Sequence, residues 1–152
     1  MFPKIYKLGK KKITVLSLFI ILVVCSVYCF LSFQIVHVDG NSMQPTIMKG
    51  DYALVNCYSY VFSLPKKGDI VLVKRKTEGL PDSIDLSIKR ITGIPGDTVQ
   101  FLNAKDSSKN VTATLSEGEY FLVGDNTANS YDSRHYGPMN DSEIIGKVIF
   151  IK

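Results

Sequence analysis

Residues 13–33 read ITVLSLFIILVVCSVYCFLSF, a run of 21 residues without a charged side chain. A helix needs about 20 apolar residues to cross a bilayer. The stretch therefore predicts a transmembrane helix over 13–33, followed by one domain of residues 34–152. A cleaved secretory signal would have a shorter apolar run and small residues at both exit positions, which Phe30–Gln34 does not provide.

Positive charge is concentrated before this helix. Residues 1–12 carry five lysines, whereas the remaining chain has 13 basic and 14 acidic residues, so the net charge of +4 belongs to the tail. Lysines on one side of a membrane helix favour the cytoplasmic side and anionic lipid. We expect a single-pass protein of the cell membrane, with a cytoplasmic tail of residues 1–12 and an extracellular domain. A nearly neutral domain argues against a nucleic-acid partner, which needs a basic face, and we expect none.

The domain has the pattern of a mainly β protein. Short β-branched or alternating runs are separated by turn signals such as Lys67–Asp69 and Pro95–Asp97. This pattern predicts a compact antiparallel β-barrel or sandwich. Residues 75–86 are expected to form an exposed loop, and the polar residues 103–118 a surface excursion. The predicted strands are Gln34–Val38, Tyr52–Asn56, Asp69–Lys74, Ser87–Ile91, Thr98–Leu102, Glu119–Val123 and Ile145–Ile151.

A serine in a turn follows the first predicted strand. The run Gly40-Asn41-Ser42-Met43-Gln44-Pro45-Thr46 makes Ser42 a candidate nucleophile beside the membrane. A hydroxyl nucleophile needs a base, and histidine is the commonest one. The two histidines, His37 and His135, have no supporting pattern around them.

Cysteine and metal chemistry are disfavoured. Cys57 is the one cysteine outside the apolar run, so the domain has no disulfide framework, and we interpret Cys57 as a packed side chain. The sequence has no His/Cys/Asp spacing typical of a metal site and no phosphate-binding glycine loop. We therefore expect no metal and no cofactor.

Lysine is the other possible base. Strand alternation places Lys89 on the same face as Ile91, and Ile88 on the same face as Arg90. A lysine that shares a face with isoleucine is either at an edge or buried. Burial disfavours the ammonium form and lowers its pKa, and the neutral amine can then accept a serine proton.

Four segments, in this order, resemble the conserved boxes of the type I signal peptidases, membrane-anchored Ser/Lys proteases that release secreted proteins. They are residues 40–46 (the nucleophile box), residues 50–55 (the following strand), residues 89–97 (the lysine box) and the last box, which joins Gly124-Asp125-Asn126 to residues 129–134 and Gly137. The order of the boxes after an N-terminal apolar segment carries the resemblance. Gly40 stands where some members have a serine, as in Gram-positive-like members.

The resemblance implies a role for each matching residue. Ser42 would be the nucleophile and Lys89 the general base, with Ser130 orienting the lysine amine. Asp132 and Arg134 would form a structural ion pair beneath the site. The backbone N–H of Ser42 would donate to the oxyanion; with glycine at position 40, the second donor is left open.

The resemblance also implies the substrate. Val38, Met43, Ile47 and Ile88 fall where the family lines pockets for small side chains, typically alanine, at the first and third positions before the cut. The partners would be precursors bearing signal peptides, bound in an extended form along strand edges, together with the lipid bilayer.

Other interpretations remain beside this one. A signal peptidase dedicated to pilus assembly is compatible with the altered last box, where Thr127-Ala128 replaces the usual charged pair. An inactive relative that acts as an assembly chaperone would be expected to lose the serine or the lysine. A self-cleaving repressor would carry a DNA-binding head in place of the anchor. A mitochondrial inner-membrane peptidase is disfavoured by the lysine-rich start, which does not resemble an arginine-rich presequence.

Overall fold

The computed structural model describes residues 9–76, 84–103 and 106–152, and the chain divides into two compact units, Met1–Phe33 and Gln34–Lys152. The first unit contains one helix, α1 (Lys10–Ser32). Its Lys11–Ser32 segment is long and apolar enough to cross a membrane, with a mean hydropathy of 2.7. At 1.5 Å per residue the helix is about 34 Å long, which matches a hydrocarbon core of about 30 Å.

The regular structure described in the second unit is mainly β-strand, with one short α-helix and two 3₁₀ turns near its C-terminal end. All seven predicted strands overlap observed ones. The elements are β1 (Phe33–His37), β2 (Tyr52–Asn56), β3 (Ile70–Lys76), β4 (Ile84–Gly93), β5 (Thr98–Asn103), β6 (Asp106–Thr114), β7 (Glu119–Val123), α2 (Ser133–Tyr136), β8 (Met139–Asn140) and β9 (Ile144–Ile151).

Seven strands form one sheet in the order β1-β2-β9-β3-β4-β7-β8, and β5 pairs with β6 in a second sheet. The pairs β2–β9, β9–β3, β3–β4, β4–β7 and β7–β8 are antiparallel. The prediction of a mainly antiparallel β domain after an apolar helix is therefore confirmed. β3 and β4, which carry much of the candidate site, lie side by side, and Lys89 is opposite Val71 in their register.

β3 lies at the centre of the sheet and is buried on both faces. Leu72 packs into one core cluster with residues such as Met43 and Ile47, whereas Val71 and Val73 pack into another cluster with Leu122. Successive side chains of a strand point to opposite faces. A continuous apolar run in β3 therefore supplies both clusters, as expected for a fully buried strand.

Residues 103–118 contain a strand where the sequence predicted a surface excursion. Residues Asp106–Thr114 form β6, in which Val111 is opposite Phe101 and Ala113 is opposite Val99. The strand was not predicted because β6 has only two apolar residues and its pairing depends on β5; neither Val111 nor Ala113 belongs to either core cluster. The loop predicted over 75–86 is wrong at both ends, since β3 continues to Lys76 and β4 begins at Ile84; the rest of that prediction lies outside the described residues.

We expect Leu72→Ala to destabilise the domain by about 2–5 kcal/mol, because it removes a fully buried side chain at the centre of the sheet. Thermal unfolding of the full chain in detergent measures the effect. Ile149→Ala on β9 is the matched control, since Ile149 is 49% exposed and should cost far less. Equal losses for the two variants would contradict this assignment of the core.

Candidate active site

Ser42 lies in a turn between β1 and β2 that is fixed at its base. Val38 N–H donates to Asp51 O at 2.9 Å, and Gly50 N–H donates back to Val38 O at 2.8 Å. Within the loop, the side chains of Met43 and Ile47 are buried. The loop is therefore anchored by the residue next to the nucleophile candidate, while Ser42 itself is half-buried.

A second segment, the turn after β7, holds this loop from the other side. Asn126 N–H donates to Ser42 O at 2.9 Å, and the Asn126 side-chain amide donates to Asn41 O at 3.1 Å. The Thr46 hydroxyl donates to the Asp125 carboxylate. The Gly-Asp-Asn turn thus bonds to both the backbone and a side chain of the Ser42 loop.

Arg90 ties the same turn to β4. Its guanidinium donates to both oxygens of Asp125, at 2.8 and 2.7 Å, and to Gly68 O at 3.0 Å. The hydrogen bonds from Arg90 lower the pKa of Asp125 and keep it ionised, against the effect of burial. Arg90 follows Lys89 directly on β4. The Arg90–Asp125 ion pair therefore connects the strand that carries Lys89 to the turn after β7, which in turn is bonded to the Ser42 loop. The sequence resemblance placed Gly124-Asp125-Asn126 in the last box, but neither Asp125 nor Asn126 was predicted as a site residue.

Lys89 is almost completely removed from solvent, with 3% of its surface exposed. Burial lowers the pKa of its ammonium group; Asp132 and Asp85 oppose this effect, whereas Arg134 adds to it. The net direction is downward because the cost of burying the charge outweighs the attraction of the carboxylates. Lys89 is thus shifted towards the neutral amine that a general base requires.

Asp132 and Arg134, which were predicted to pair, form an ion pair with N–O distances of 2.8 Å. Asp132 is fully buried, caps α2 by accepting from the Arg134 N–H, and accepts from Gly124 N–H at 3.0 Å. Burial raises the pKa of Asp132, but the hydrogen bonds, with those from Arg134 foremost, outweigh it and lower the pKa to about 2. Arg134 also donates to the carbonyls of Thr127 and Ser130, at 3.0 and 3.4 Å.

Ser130 presents a buried hydroxyl to this region. Ser130 lies close enough to Asp132 to favour its charged form. Its Oγ nevertheless has no hydrogen-bond partner of ordinary geometry within the described residues, and no other buried side-chain polar atom of those residues lacks one. Buried hydroxyls are normally paired, so this atom is available to a group that arrives or moves during a reaction.

Gly124 is the point where these segments meet. A Cβ at this position would overlap Ser130 Oγ and would lie 2.5 Å from Ser42 O. Only glycine allows the β7 turn, the Ser42 loop and the Ser130 segment to come this close. The structure therefore brings Ser42 and Ser130 together around Gly124, and Asp132 and Arg134 are close enough to Lys89 to shift its pKa.

A cavity beside Ser42 contains about 440 Å³ of empty space, part of which opens to solvent. Three of the predicted pocket residues, Val38, Met43 and Ile88, line it together with Ser42. Ile47, the fourth, is fully buried in the core cluster next to Met43 and is not a lining residue. The cavity is mostly apolar and lies directly beside the candidate nucleophile.

The histidines have other partners. His37 pairs with Asp39 at 3.0 Å and packs against Tyr52, with ring centroids 5.1 Å apart. His135 Nδ1 accepts the Asp132 N–H at 3.3 Å and so helps to cap α2. Within the described residues, no group of three or more His, Cys, Asp or Glu side chains could hold a metal ion.

Comparison with known proteins identifies the family. A family model described as signal peptidase, peptidase S26, matches residues 11–107 and 102–152. The signal peptidase I V of Bacillus subtilis is 36% identical over 141 residues, which cover 73% of this chain and 80% of that protein. The mitochondrial inner membrane protease subunit 1 of Schizosaccharomyces pombe is 37% identical over 119 residues, with 77% and 71% covered.

Two further matches carry the signal peptidase I name. The signal peptidase I of Leptolyngbya laminosa is 31% identical over 133 residues, covering 74% of this chain and 65% of that protein. A crystal structure of a signal peptidase I from Enterococcus faecalis covers 57% of this chain and 98% of its own, at 22% identity and a TM-score of 0.43. The assignment therefore rests on the sequence matches, and by these the chain belongs to the signal peptidase family, peptidase S26, as a serine peptidase of type I.

Proposed function

We propose that this chain is a membrane-anchored endopeptidase that removes signal peptides from exported precursors by a Ser42/Lys89 dyad. The single observation that carries the proposal is the burial of Lys89, with its lowered pKa, in the strand joined by Arg90 to the Ser42 loop. A buried lysine without such a task is costly, whereas a neutral amine near a serine hydroxyl is a general base.

The chemistry proceeds in two transfers. Ser42 Oγ attacks the carbonyl carbon of the scissile bond while the neutral Lys89 amine takes its proton. The resulting oxyanion accepts a hydrogen bond from Ser42 N–H. Collapse breaks the C–N bond, the leaving amine takes the proton from Lys89, and an ester on Ser42 remains. Lys89 then takes a proton from water as the water oxygen attacks the ester carbonyl. Collapse breaks the C–Oγ bond, Lys89 returns the proton to Ser42 Oγ, and the signal peptide leaves with a free carboxyl group.

Ser130 completes the dyad as the residue that orients the amine. Its buried Oγ has no partner of ordinary hydrogen-bond geometry within the described residues, so it can accept a hydrogen bond from Lys89 Nζ. The Asp132–Arg134 pair holds the Ser130 segment through its backbone, since Arg134 donates to Ser130 O. Asp132 remains ionised at any pH at which Lys89 is neutral, because its pKa is about 2.

Specificity and location follow from the same features. The apolar cavity beside Ser42 suits small side chains such as alanine before the cut, with Val38, Met43 and Ile88 as its walls. We infer a division into a cytoplasmic tail of residues 1–12, a membrane helix over 13–33 and an extracellular catalytic domain of 34–152. The five lysines of the tail support this orientation.

Ser42→Ala should lower cleavage of a precursor by about a thousandfold or more, because the acyl-enzyme can no longer form. Gel-based cleavage of a purified precursor with an Ala-x-Ala site measures it. Ser116→Ala, which changes an exposed serine, is the matched control and should retain full activity. Substantial cleavage by the Ser42 variant, with the fold intact, would exclude this nucleophile.

The pH dependence of kcat/KM should report the neutral form of Lys89. Activity is expected to rise with pH through an apparent pKa below the ordinary lysine value of 10.5, since burial disfavours the ammonium. Lys89→Met should be inactive yet no less thermally stable, because an apolar side chain replaces a buried amine. An active Lys89→Met variant, or a limb at the ordinary lysine value, would refute the assignment.

Orientation can be tested with trypsin added outside intact cells. Cleavage is expected after the exposed Lys66 or Lys67, whereas the lysines of residues 10–12 should be protected until the membrane is permeabilised. Immunoblots of N- and C-terminal tags distinguish the two fragments. Cleavage only at the N-terminal lysines would mean the opposite orientation.

A further inference from the structure

A cluster of stacked rings surrounds the residue that follows Ser130. Arg75, on β3, has its guanidinium carbon 5.3 Å from the centre of the Tyr131 ring and 4.5 Å from that of Tyr136. The Tyr131 ring also stacks on His135, with centroids 5.0 Å apart and planes 29° apart, and meets Tyr136 at 5.5 Å. One cation from the central strand therefore contacts two rings of the segment that carries Ser130 and α2.

The two ends of this contact differ in how firmly they are held. β3 is fixed by Val71 and Val73, which are fully buried, and it pairs with β4, where Arg75 is opposite Asp85. Tyr131, by contrast, is 62% exposed. The Tyr131 ring contacts Arg75, His135 and Tyr136, and these contacts are what can fix the orientation of this exposed ring.

We propose that Arg75 is a positioning residue for the peptidase reaction: by stacking on Tyr131 and Tyr136 it holds the Ser130 hydroxyl where the Lys89 amine can reach it. Arg75 does not touch the reacting atoms. The proposal rests on the function proposed above for Ser42, Lys89 and Ser130. It adds a contact that connects β3, at the centre of the sheet, to the segment that carries Ser130.

The chemistry of the contact requires a guanidinium. A planar, delocalised cation lies flat on aromatic faces, whereas a lysine ammonium is a strongly hydrated point charge. Arginine at position 75 can therefore contact both rings at once. Arg75→Lys keeps the charge but loses this geometry, and Tyr131→Phe keeps the ring but loses the hydroxyl.

Loosening the segment should act on the chemical step rather than on binding. None of the residues that line the cavity belongs to the ring cluster, so KM should stay within about twofold if KM reflects binding. A displaced Ser130 would no longer orient the amine, and water would reach Lys89. The acid limb of the pH profile should then move towards higher pH, because burial is what lowers this pKa.

Other titratable groups lie next to the ring cluster, and their effect on the pH profile must be distinguished from the titration of Lys89. His135 stacks on Tyr131, Asp85 is opposite Arg75, and Glu143 acts electrostatically on Tyr136. Arg75→Ala and Tyr131→Ala change this set differently, since only the first removes a charge. A shift of the limb in the same direction in both variants therefore reports the position of Ser130 rather than a lost charge.

The test measures kcat, KM and the pH profile of the full chain in detergent, with a purified precursor bearing an Ala-x-Ala site. Arg75→Ala and Tyr131→Ala should each lower kcat by about three- to thirtyfold, and the double variant should be little worse than either, since the two act through one contact. Tyr131→Phe should stay within about twofold of the parent, and Arg75→Lys should fall between the parent and Arg75→Ala.

Lys74→Ala is the matched control, because it removes the neighbouring exposed cation of β3 and should leave kcat unchanged. The proposal is overturned if Arg75→Ala keeps the parent kcat and pH profile while Ser42→Ala is inactive. It is also overturned if the losses are additive, or if they match the fraction unfolded at the assay temperature by circular dichroism. An active Ser42→Ala variant would instead remove the proposed function on which the inference rests.

Discussion

The removal of Lys89 from water is the constraint on which the rest of the site depends. An ammonium group in this position loses its hydration. The attraction of Asp132 and Asp85 does not fully offset the free-energy cost of that loss, so the pKa of the amine falls. The same burial shifts Lys89 towards the neutral form that the proposed base role requires, and it makes the fold around the residue more costly to form. Asp132 forms a close ion pair with Arg134, so the negative charge of this carboxylate compensates Arg134 as well as Lys89.

Three chain segments come into close contact around Gly124: the turn after β7, the Ser42 loop and the Ser130 segment. Gly124 lets the turn after β7 pass against Ser42 and Ser130, and Asn126 then bonds to the backbone at Ser42. Arg90 and Asp125 connect that turn to the strand that carries Lys89. The Ser42 loop is thus positioned by hydrogen bonds to its backbone and by the buried side chains of Met43 and Ile47. Groups fixed in this way do not have to be reorganised during the reaction.

Much of the fold, and part of the candidate site, could be predicted from the sequence. The seven strands were found from turn signals and apolar alternation, and alternation also placed Ile88 and Ile91 on opposite faces of β4, where they enter different core clusters. β6 was missed because its pairing with β5 is a tertiary effect that its few apolar residues do not indicate. The contacts of Asp125, Asn126 and Arg75 were missed for a similar reason, since each residue has its partner far away in the chain.

The central claim is that Lys89 is neutral in the working enzyme, and an NMR titration of the Lys89 side chain tests it most directly. Full-length Ser42→Ala protein with ¹³C-labelled lysine, compared with Lys89→Met protein to assign the signal, gives the pKa of this one amine in the folded state. We predict a value well below the ordinary lysine value of 10.5, with Asp132 ionised throughout. A Lys89 signal that titrates at or above the ordinary value would contradict the account.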